Sequence, residues 1–481
     1  MAPKPERIPT RAENFSDWYI EVIRKADMAD YTVVKGCMVI KPYGFALWEN
    51  IQAGLDKRIK DTGHENAYFP LLVPESLLLK EAEHIEGFAP ECAWVTHGGG
   101  AQLEERLAIR PTSEAIICSI YANWVKSYRD LPILINQWAN VMRWEKRTRL
   151  FLRTSEFLWQ EGHTVHRTDA EAQEEVLKML EVYREFLETE LAIPAIPGMK
   201  SDAEKFAGAS KTYTVEALMQ DGWALQAGTS HNLGQHFSKG FGIKFLDEDN
   251  TEKFAWQTSW GVSTRLIGGA IMVHGDDNGL RMPPRVAPVQ VIAIPIFKAG
   301  LEGALKEKIA KLTAALKAKG VRVKEDLRDN HRPGFKFTEW ELKGVPIRIE
   351  AGPKDLESGN VAIARRDTGE KIFVRDEDVV ETVEKLLVDI QANMLKTARE
   401  FRDNHTSRPA NFEEFKQLLE TKGGFMLCGW DGTAESEQAI KNESKATLRC
   451  IPFDGGEVQP GDVDIYSGKP AVHRALFARS Y

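Results

Sequence analysis

The sequence predicts a multidomain α/β protein, and three observations carry that reading. The chain has 481 residues, more than one hydrophobic core usually organises, so two or three domains are expected. At "RMPPRVAPVQ" the prolines 283, 284 and 288 fall where neither a helix interior nor a central strand can run, which marks a linker. Beyond it, strand-like and helix-like patterns alternate over about 100 residues, as in an α/β domain. Before it, aromatic segments, glycines and charged clusters mix. The expected division is 1–284, 285–400 and 401–481.

Each element has its own signal. The N-terminal "MAPKPERIPTRAENFSDWY" has no apolar run after its charges, and no apolar run of about 18 residues occurs anywhere, so no export signal or membrane span is expected. "GFALWENIQAGLDKRIKDTG" carries Phe45, Trp48, Ile51, Leu55 and Ile59 at helical spacing and ends at Gly63. Thr168 to Glu171 forms a capping-box start for a long amphipathic helix toward Leu191, with Val176, Leu180, Tyr183, Leu187 and Leu191 near one face. After the break, "VQVIAIPIF" reads as a buried strand, "LEGALKEKIAKLTAALKAKG" as a helix closed by Gly320, and "VRVKED" as a strand. "VPIRIEAG" and "NVAIARRDTGEKIFV" read as strands, the second bent at Asp367-Thr-Gly, and "VVETVEKLLVDIQANMLKTAREFRDNH" as a helix leading into the last segment.

Composition excludes several classes. Hydrophobic content of 43% and aromatic content of 9% are ordinary for globular proteins. A net charge of −8 argues against a protein that coats nucleic acid generally, while leaving room for a local basic face. Cysteines 37, 92, 118, 428 and 450 are odd in number and scattered, unlike a disulfide framework, so a cytoplasmic location is expected.

The chain has neither a G-x-x-x-x-G-K-[ST] loop nor a G-x-G-x-x-G after a strand, so a nucleotide would have to be held by side chains. Arginine suits that task, because its planar fork binds phosphate oxygens and stacks on bases. "VMRWEKRTRLFLRTSEFLWQEGH" reads as strand, loop, strand. Arg143 and Glu145 share a face of the first strand, "KRTR" turns, and Arg153, Ser155, Phe157 and Trp159 share a face of the second. Such a hairpin could hold a phosphate at Arg143 and an adenine against Phe157; on pattern alone, a salt-bridged surface hairpin is the alternative. His163 and His166 have metal-like spacing, but without a glutamate beside the first, and with rings that diverge at a strand end, zinc is not expected there.

In order and spacing, "RPTSE", "RWEKRTRLFLRTSEFLWQEGH", "ALQAGTSHNLGQHFSKGF" and "TSWGVSTRLIGGAIMVHGDDNGLRMPPRVAPVQV" resemble the signature blocks of the prolyl-tRNA synthetases. These are class II aminoacyl-tRNA synthetases, here of the compact archaeal/eukaryotic-like type without an editing insertion. "HENAYFPLLVPESLL" resembles motif 1, Arg143 to Arg153 motif 2 and "GVSTR" motif 3, and the likeness extends through "TEWELKGVPIRIEAGPKDLESG" to the terminal "FARSY". The resemblance implies an antiparallel-sheet catalytic domain over 1–284, an α/β anticodon-binding domain over 285–400 and a small α+β C-terminal domain over 401–481. It also implies a ligase that activates L-proline with ATP and transfers it to tRNA(Pro), with Mg²⁺ on the phosphates.

Site roles follow from the same resemblance. Arg143 bridges the α-phosphate and the proline carboxylate. Phe157 and Arg265 sandwich adenine, Arg153 lies near the distal phosphates, and Glu145, Thr154, Gln226, Thr229 and Ser263 are further ATP contacts. Thr112 and Glu114 hold the secondary ammonium, while Trp159, Glu161, His163, Phe206 and His231 surround the proline ring. Glu341, Arg348 and Lys354 fall where the family reads the anticodon.

Motif 1 implies a homodimer. The stretch from His163 to Gln226 leaves no room for an editing domain, so alanine mischarging is expected to go uncorrected by this chain. Family members often hold structural zinc through four cysteines in the C-terminal domain. Here Cys428 is kept, Thr433 falls where a second would be, Asp464 and Ser467 replace the later pair, and Cys450 occupies a packing position; zinc is expected to be absent. A synthetase-like protein that only senses proline or tRNA is the rival reading, disfavoured because Arg143, Arg153, Arg265, Thr112 and Glu114 are all present.

Overall fold

In the computed structural model, which describes residues 8–84 and 91–481, eleven strands join into one sheet. The first seven residues of the N-terminal stretch read above lie outside the described residues. From one edge the sheet runs Thr406–Ser407, Phe425–Trp430, His473–Ala478, Thr447–Pro452, Ile196–Met199, Lys211–Leu218, Ala224–Gly234, Trp256–Ser263, Glu156–His166, Ile133–Met142 and Glu65–Asn66. Only the short strands at the two edges pair parallel; every other neighbour is antiparallel.

The helix Asp169–Thr189 covers one face of this sheet. Its start is local chemistry: Thr168 Oγ1 accepts from the Glu171 amide and the Glu171 carboxylate accepts from the Thr168 amide. All five apolar residues expected on its inner face are buried. Tyr183 donates to Gln160 Oε1 at 2.6 Å and Ser230 to the Val176 carbonyl at 2.8 Å. Gly162 is required beneath it, since a Cβ there would stand 2.1 Å from the Trp260 ring.

The helix Pro42–Asp61 corrects one expectation. Trp48, Ile51, Leu55 and Ile59 are buried, but Phe45 is 41% exposed. Gly44 and Leu47 take the inward positions of the first turns, which rotates Phe45 outward. The motif 2 strands are also shorter than expected. The first ends at Met142 and the second begins at Glu156, so Arg143, Glu145, Arg153 and Ser155 sit in the loop between them and not on strand faces. The Arg143 amide donates to the Ser155 carbonyl at 2.8 Å, closing the loop's mouth, and Arg149 and Arg153 exchange backbone hydrogen bonds at its tip.

The proline-rich break has no helix or strand, yet it is not a free linker. Met282, Val286 and Ala287 are buried in the main core, because proline restricts the backbone without preventing neighbouring side chains from packing. Beyond it, a five-stranded sheet runs Val323–Glu325, Val291–Pro295, Ile347–Ala351, Asn360–Arg365 and Lys371–Arg375, the first three parallel and the last two antiparallel. The stretch expected to bend at Asp367 is a hairpin. Helices Glu302–Ala318 and Val379–Asn404 pack on one face through Leu305, Ile309, Val383 and Ile390.

The C-terminal segment joins the large sheet through Ile451 and Pro452, which pair with Met199 and Gly198. In its loops Asp431 accepts from Thr433 Oγ1 (2.7 Å), Ser436 Oγ (2.7 Å) and Ser467 Oγ (2.9 Å). Asp464 accepts from the amides of Asp431, Tyr466 and Ser467. Among the described residues no group of three or more His, Cys, Asp or Glu side chains could hold a metal ion. Tyr481 tucks back against the first region: its amide donates to the Ala224 carbonyl at 3.1 Å, its hydroxyl meets Asp221, and the Arg149 guanidinium lies 5.1 Å from its ring.

A buried charge cluster fastens this seam. Glu216 accepts from Lys200 Nζ at 3.1 Å, Thr214 Oγ1 at 2.9 Å and Arg449 Nε at 3.0 Å. Burial alone would raise its pKa, but Arg449 and Lys200 outweigh that and bring it from 4.5 down to about 2. A depressed carboxylate contributes stability above its ordinary pKa and loses it as pH falls through the folded value. Thermal melting should therefore decline between pH 4.5 and about 2, with a shallower slope in Glu216→Gln. At neutral pH that variant should lose roughly 3–5 kcal/mol, because two buried cations lose their counter-charge; an unchanged melting curve would contradict the assignment.

Candidate active site

On the strand Glu156–His166 successive side chains alternate between faces, so the positions that miss the helix point into a cavity of about 330 Å³. Phe157, Trp159, Glu161 and His163 line it from this strand, Gln226, Thr229 and His231 from the next but one, and Ser263 from the strand between. Thr112 and Glu114 enter at the start of the helix Glu114–Trp124, and Arg143, Phe206 and Arg265 also line the cavity.

One end is acidic and tightly hydrogen-bonded. Glu161 Oε1 accepts from Ser113 Oγ at 2.5 Å and Gln137 Nε2 at 2.7 Å, while Oε2 meets His163 Nε2 at 2.8 Å. The Thr112 hydroxyl donates to Glu114, in the first turn of its helix. Burial works against a charged His163, but the Glu161 hydrogen bond and charge, with help from Glu114, more than offset it and raise its pKa above 6.5. His231 is the opposite case: burial, and then the charge of His163, push it down to about 3, so its ring is neutral. That ring lies 4.8 Å from Phe206 and forms an apolar wall with it.

The other end is basic. Arg143 donates from Nε to the Pro111 carbonyl at 2.9 Å and lies over both Phe157 (5.5 Å) and Trp159 (5.6 Å). Arg265 starts the helix Arg265–His274, its amide donating to Ser263 Oγ at 3.2 Å. Burial, then the like charges of Arg153, Arg143 and Arg449, lower its pKa to about 10, which leaves it protonated at neutral pH. Arg143 also lines a neighbouring cavity of about 480 Å³ with Glu145 and Arg153. Thr154 reaches neither cavity; it is buried and its hydroxyl donates to the Glu156 carbonyl at 2.6 Å. His163 and His166, three apart on a strand, take opposite faces, and His166 turns instead to Thr164 at 2.7 Å.

Comparison with known proteins decides what this arrangement belongs to. Residues 94–274 match the class II core domain of the tRNA synthetases for G, H, P, S and T, residues 290–386 the anticodon binding domain, and residues 412–481 the prolyl-tRNA synthetase C-terminal domain. The chain is 57% identical to a proline–tRNA ligase of Natranaerobius thermophilus, over 99% of this chain and 98% of that one. It is 56% identical to one of Rubrobacter xylanophilus over the full length of both, and 58% identical to one of Symbiobacterium thermophilum over 99% and 98%. The chain belongs to the prolyl-tRNA synthetase family.

Within that family's architecture the five-stranded sheet is the anticodon-binding domain. Glu341 and Arg348 line one cavity there, of about 140 Å³, together with Trp340 and Arg366. Arg348 pairs with Glu350 at 2.9 Å and stacks on Phe337 at 4.3 Å. Lys354 does not line this cavity; it is exposed on the short helix Pro353–Ser358. Among the described residues, Glu204, Thr212 and Ser259 also reach the main cavity and were not singled out from the sequence. The signal for Ser259 is strand register, since it pairs with His163; Glu204 sits in a loop with no periodic signal.

The two histidines provide a direct test of the electrostatics. In an NMR titration, His163 should stay protonated above pH 6.5 and His231 neutral at any pH above about 3. Glu161→Gln removes the charge that holds the His163 proton, so its pKa should fall; an unmoved titration would show that Glu161 is not the cause.

Proposed function

We propose that the two ends of the main cavity receive the two reactants of amino-acid activation, with the catalytic unit taken as 1–284, the anticodon-binding unit as 285–400 and the C-terminal unit as 401–481. The reaction is that of a proline–tRNA ligase. A proline carboxylate oxygen attacks the α-phosphorus of ATP and pyrophosphate leaves; the 3′-terminal ribose hydroxyl of tRNA(Pro) then attacks the carbonyl carbon of the anhydride and AMP leaves. Neither step needs a side-chain nucleophile, so the residues act by positioning and charge. The single observation that carries this reading is that two carboxylates, Glu114 and Glu161, and two arginines, Arg143 and Arg265, line one cavity, with Arg143 over Phe157 and Trp159 and Glu161 hydrogen-bonded to His163 further along the same strand.

Glu114 and Thr112 accept the two N–H donors of the secondary ammonium. Trp159, Phe206 and the neutral His231 face the ring methylenes, with Glu161 and His163 fixing the floor. Arg143, shared by both cavities, offsets the repulsion between the proline carboxylate and the α-phosphate that must meet there. Adenine lies between Phe157 and Arg265, bordered by Gln226, Thr229 and Ser263, and the distal phosphates extend toward Arg153 and Glu145. Thr154, its hydroxyl already engaged, drops out of the contact set. Mg²⁺ enters as part of the substrate, on phosphate oxygens and water.

For tRNA, guanine offers N1–H and N2–H₂ donors to Glu341 and O6 and N7 acceptors to Arg348. A homodimer follows from motif 1, and exposed apolar Tyr68 and Leu72 within it support this; sedimentation should return twice the mass of one chain. The hydrogen-bonded carboxylates Asp431 and Asp464 support a C-terminal unit that works without zinc. Elemental analysis should find no stoichiometric zinc, and a chelator should leave melting unchanged.

The purified chain should exchange pyrophosphate into ATP in a proline-dependent manner, and absence of exchange would sink the reading. Glu341→Ala should lower charging of tRNA(Pro) about tenfold, roughly the loss of one base contact of 1–3 kcal/mol, while leaving exchange intact. Equal loss in both assays would assign Glu341 to stability instead.

A further inference from the structure

The loop from Lys200 to Ser210 carries Glu204 and Phe206 to the main cavity and joins the strands Ile196–Met199 and Lys211–Leu218. Its ends are fixed to the catalytic sheet. The Lys200 amide donates to the Thr212 carbonyl at 2.9 Å, the Phe206 amide to Thr212 Oγ1 at 3.0 Å, and the Ser210 amide to the Asn232 carbonyl at 2.8 Å.

The first half of the loop turns toward the helix Ala434–Ser444 of the C-terminal unit. Ser201 Oγ donates to Glu437 Oε1 at 3.0 Å, with both residues buried, and Lys441 Nζ approaches Glu204 at 3.5 Å. Glu437 and Lys441 are four residues apart and so share one helix face. A groove of about 620 Å³ runs between loop and helix, and Glu204 lines both this groove and the main cavity.

Loop and helix are also joined through the backbone. The strand Thr447–Pro452 follows the helix and pairs with Ile196–Met199, which precedes the loop. The approach is close enough that a Cβ at Gly198 would stand 2.5 Å from the Ile451 carbonyl oxygen. Glu437 Oε2 is buried without a hydrogen-bond partner. A carboxylate in that setting is costly, and the hydrogen bond it does make goes to the loop.

We propose that the helix Ala434–Ser444 is a positioning element for amino-acid binding: Glu437 through Ser201, and Lys441 through Glu204, hold the loop so that Phe206 stands against His231. This rests on the assignment of that cavity end to proline. The C-terminal unit thereby acts on one substrate of the first step, although none of its own residues lines the cavity among the described residues.

The test is the proline and ATP dependence of pyrophosphate exchange in the full-length chain, with melting curves alongside. Glu437→Ala and Ser201→Ala should each raise the KM for proline about three- to tenfold, the span of one lost hydrogen bond. The KM for ATP should stay within about twofold, and the double variant should be no worse than either single one. Glu437→Gln, whose carbonyl still accepts from Ser201, should restore a near-normal KM. Lys441→Ala removes only a half-exposed ion pair and should raise the proline KM about twofold without lowering the melting temperature; it covers the case in which Glu437→Ala fails to fold. An unchanged proline KM in these variants overturns the proposal, as does a parallel rise for both substrates. Absence of exchange in the unaltered chain would instead overturn the assignment of the cavity.

Discussion

A β-strand has two faces, and in this chain the central strands use them for different tasks. Even positions of Glu156–His166, such as Gln160 and Gly162, meet the covering helix and Trp260, while odd positions from Phe157 to His163 face the cavity. A slip of one residue in register would exchange the two sets, burying Glu161 under the helix and exposing Gln160 to the ligand. The capping box at Thr168, the packing of Trp260 over Gly162 and the hydrogen bond from Tyr183 to Gln160 all hold that register. The lining of the cavity depends on that register.

On the cavity face, charge is sorted along the strand direction. Each carboxylate there already accepts hydrogen bonds from neutral groups or from His163, and among the described residues none forms an ion pair with an arginine of the cavity. Arg143 is held by a backbone carbonyl and two aromatic faces and not by an acidic partner. Opposite charges therefore line one cavity with hydrogen-bonding capacity left for a ligand that carries both a cationic and an anionic group.

What could be read from the sequence was what local chemistry decides. The capping box fixed the start of the long helix, and the alternation after residue 290 matched the five-stranded sheet and its helices. Phe157 and Trp159, read as sharing a strand face, both line the cavity, whereas Arg153 and Ser155 of the same reading lie in the loop, and Glu161 and His163 were named through the family resemblance. Tertiary contacts decided the rest. Phe45 had helical spacing but lost its inward place to Gly44 and Leu47, and the proline-rich break looked like a linker although Met282 and Val286 pack in the core. Glu204 and Thr212 reach the cavity from segments whose own patterns carry no sign of it, and Lys354, on the helix Pro353–Ser358, lies outside the cavity that Glu341 and Arg348 line.

The pairing of Thr447–Pro452 with Ile196–Met199 makes the last eighty or so residues part of the same sheet as the catalytic strands. A chain cut after the helix Val379–Asn404 would uncover a row of unpaired backbone groups along Ile196–Met199 and strand Glu216 and Lys200 without Arg449. Such a fragment would present a sticky edge to its neighbours. The C-terminal unit therefore cannot be shuffled, lost or swapped as an independent module: any recombination that alters it must supply a matching strand edge and a buried cation in the same places.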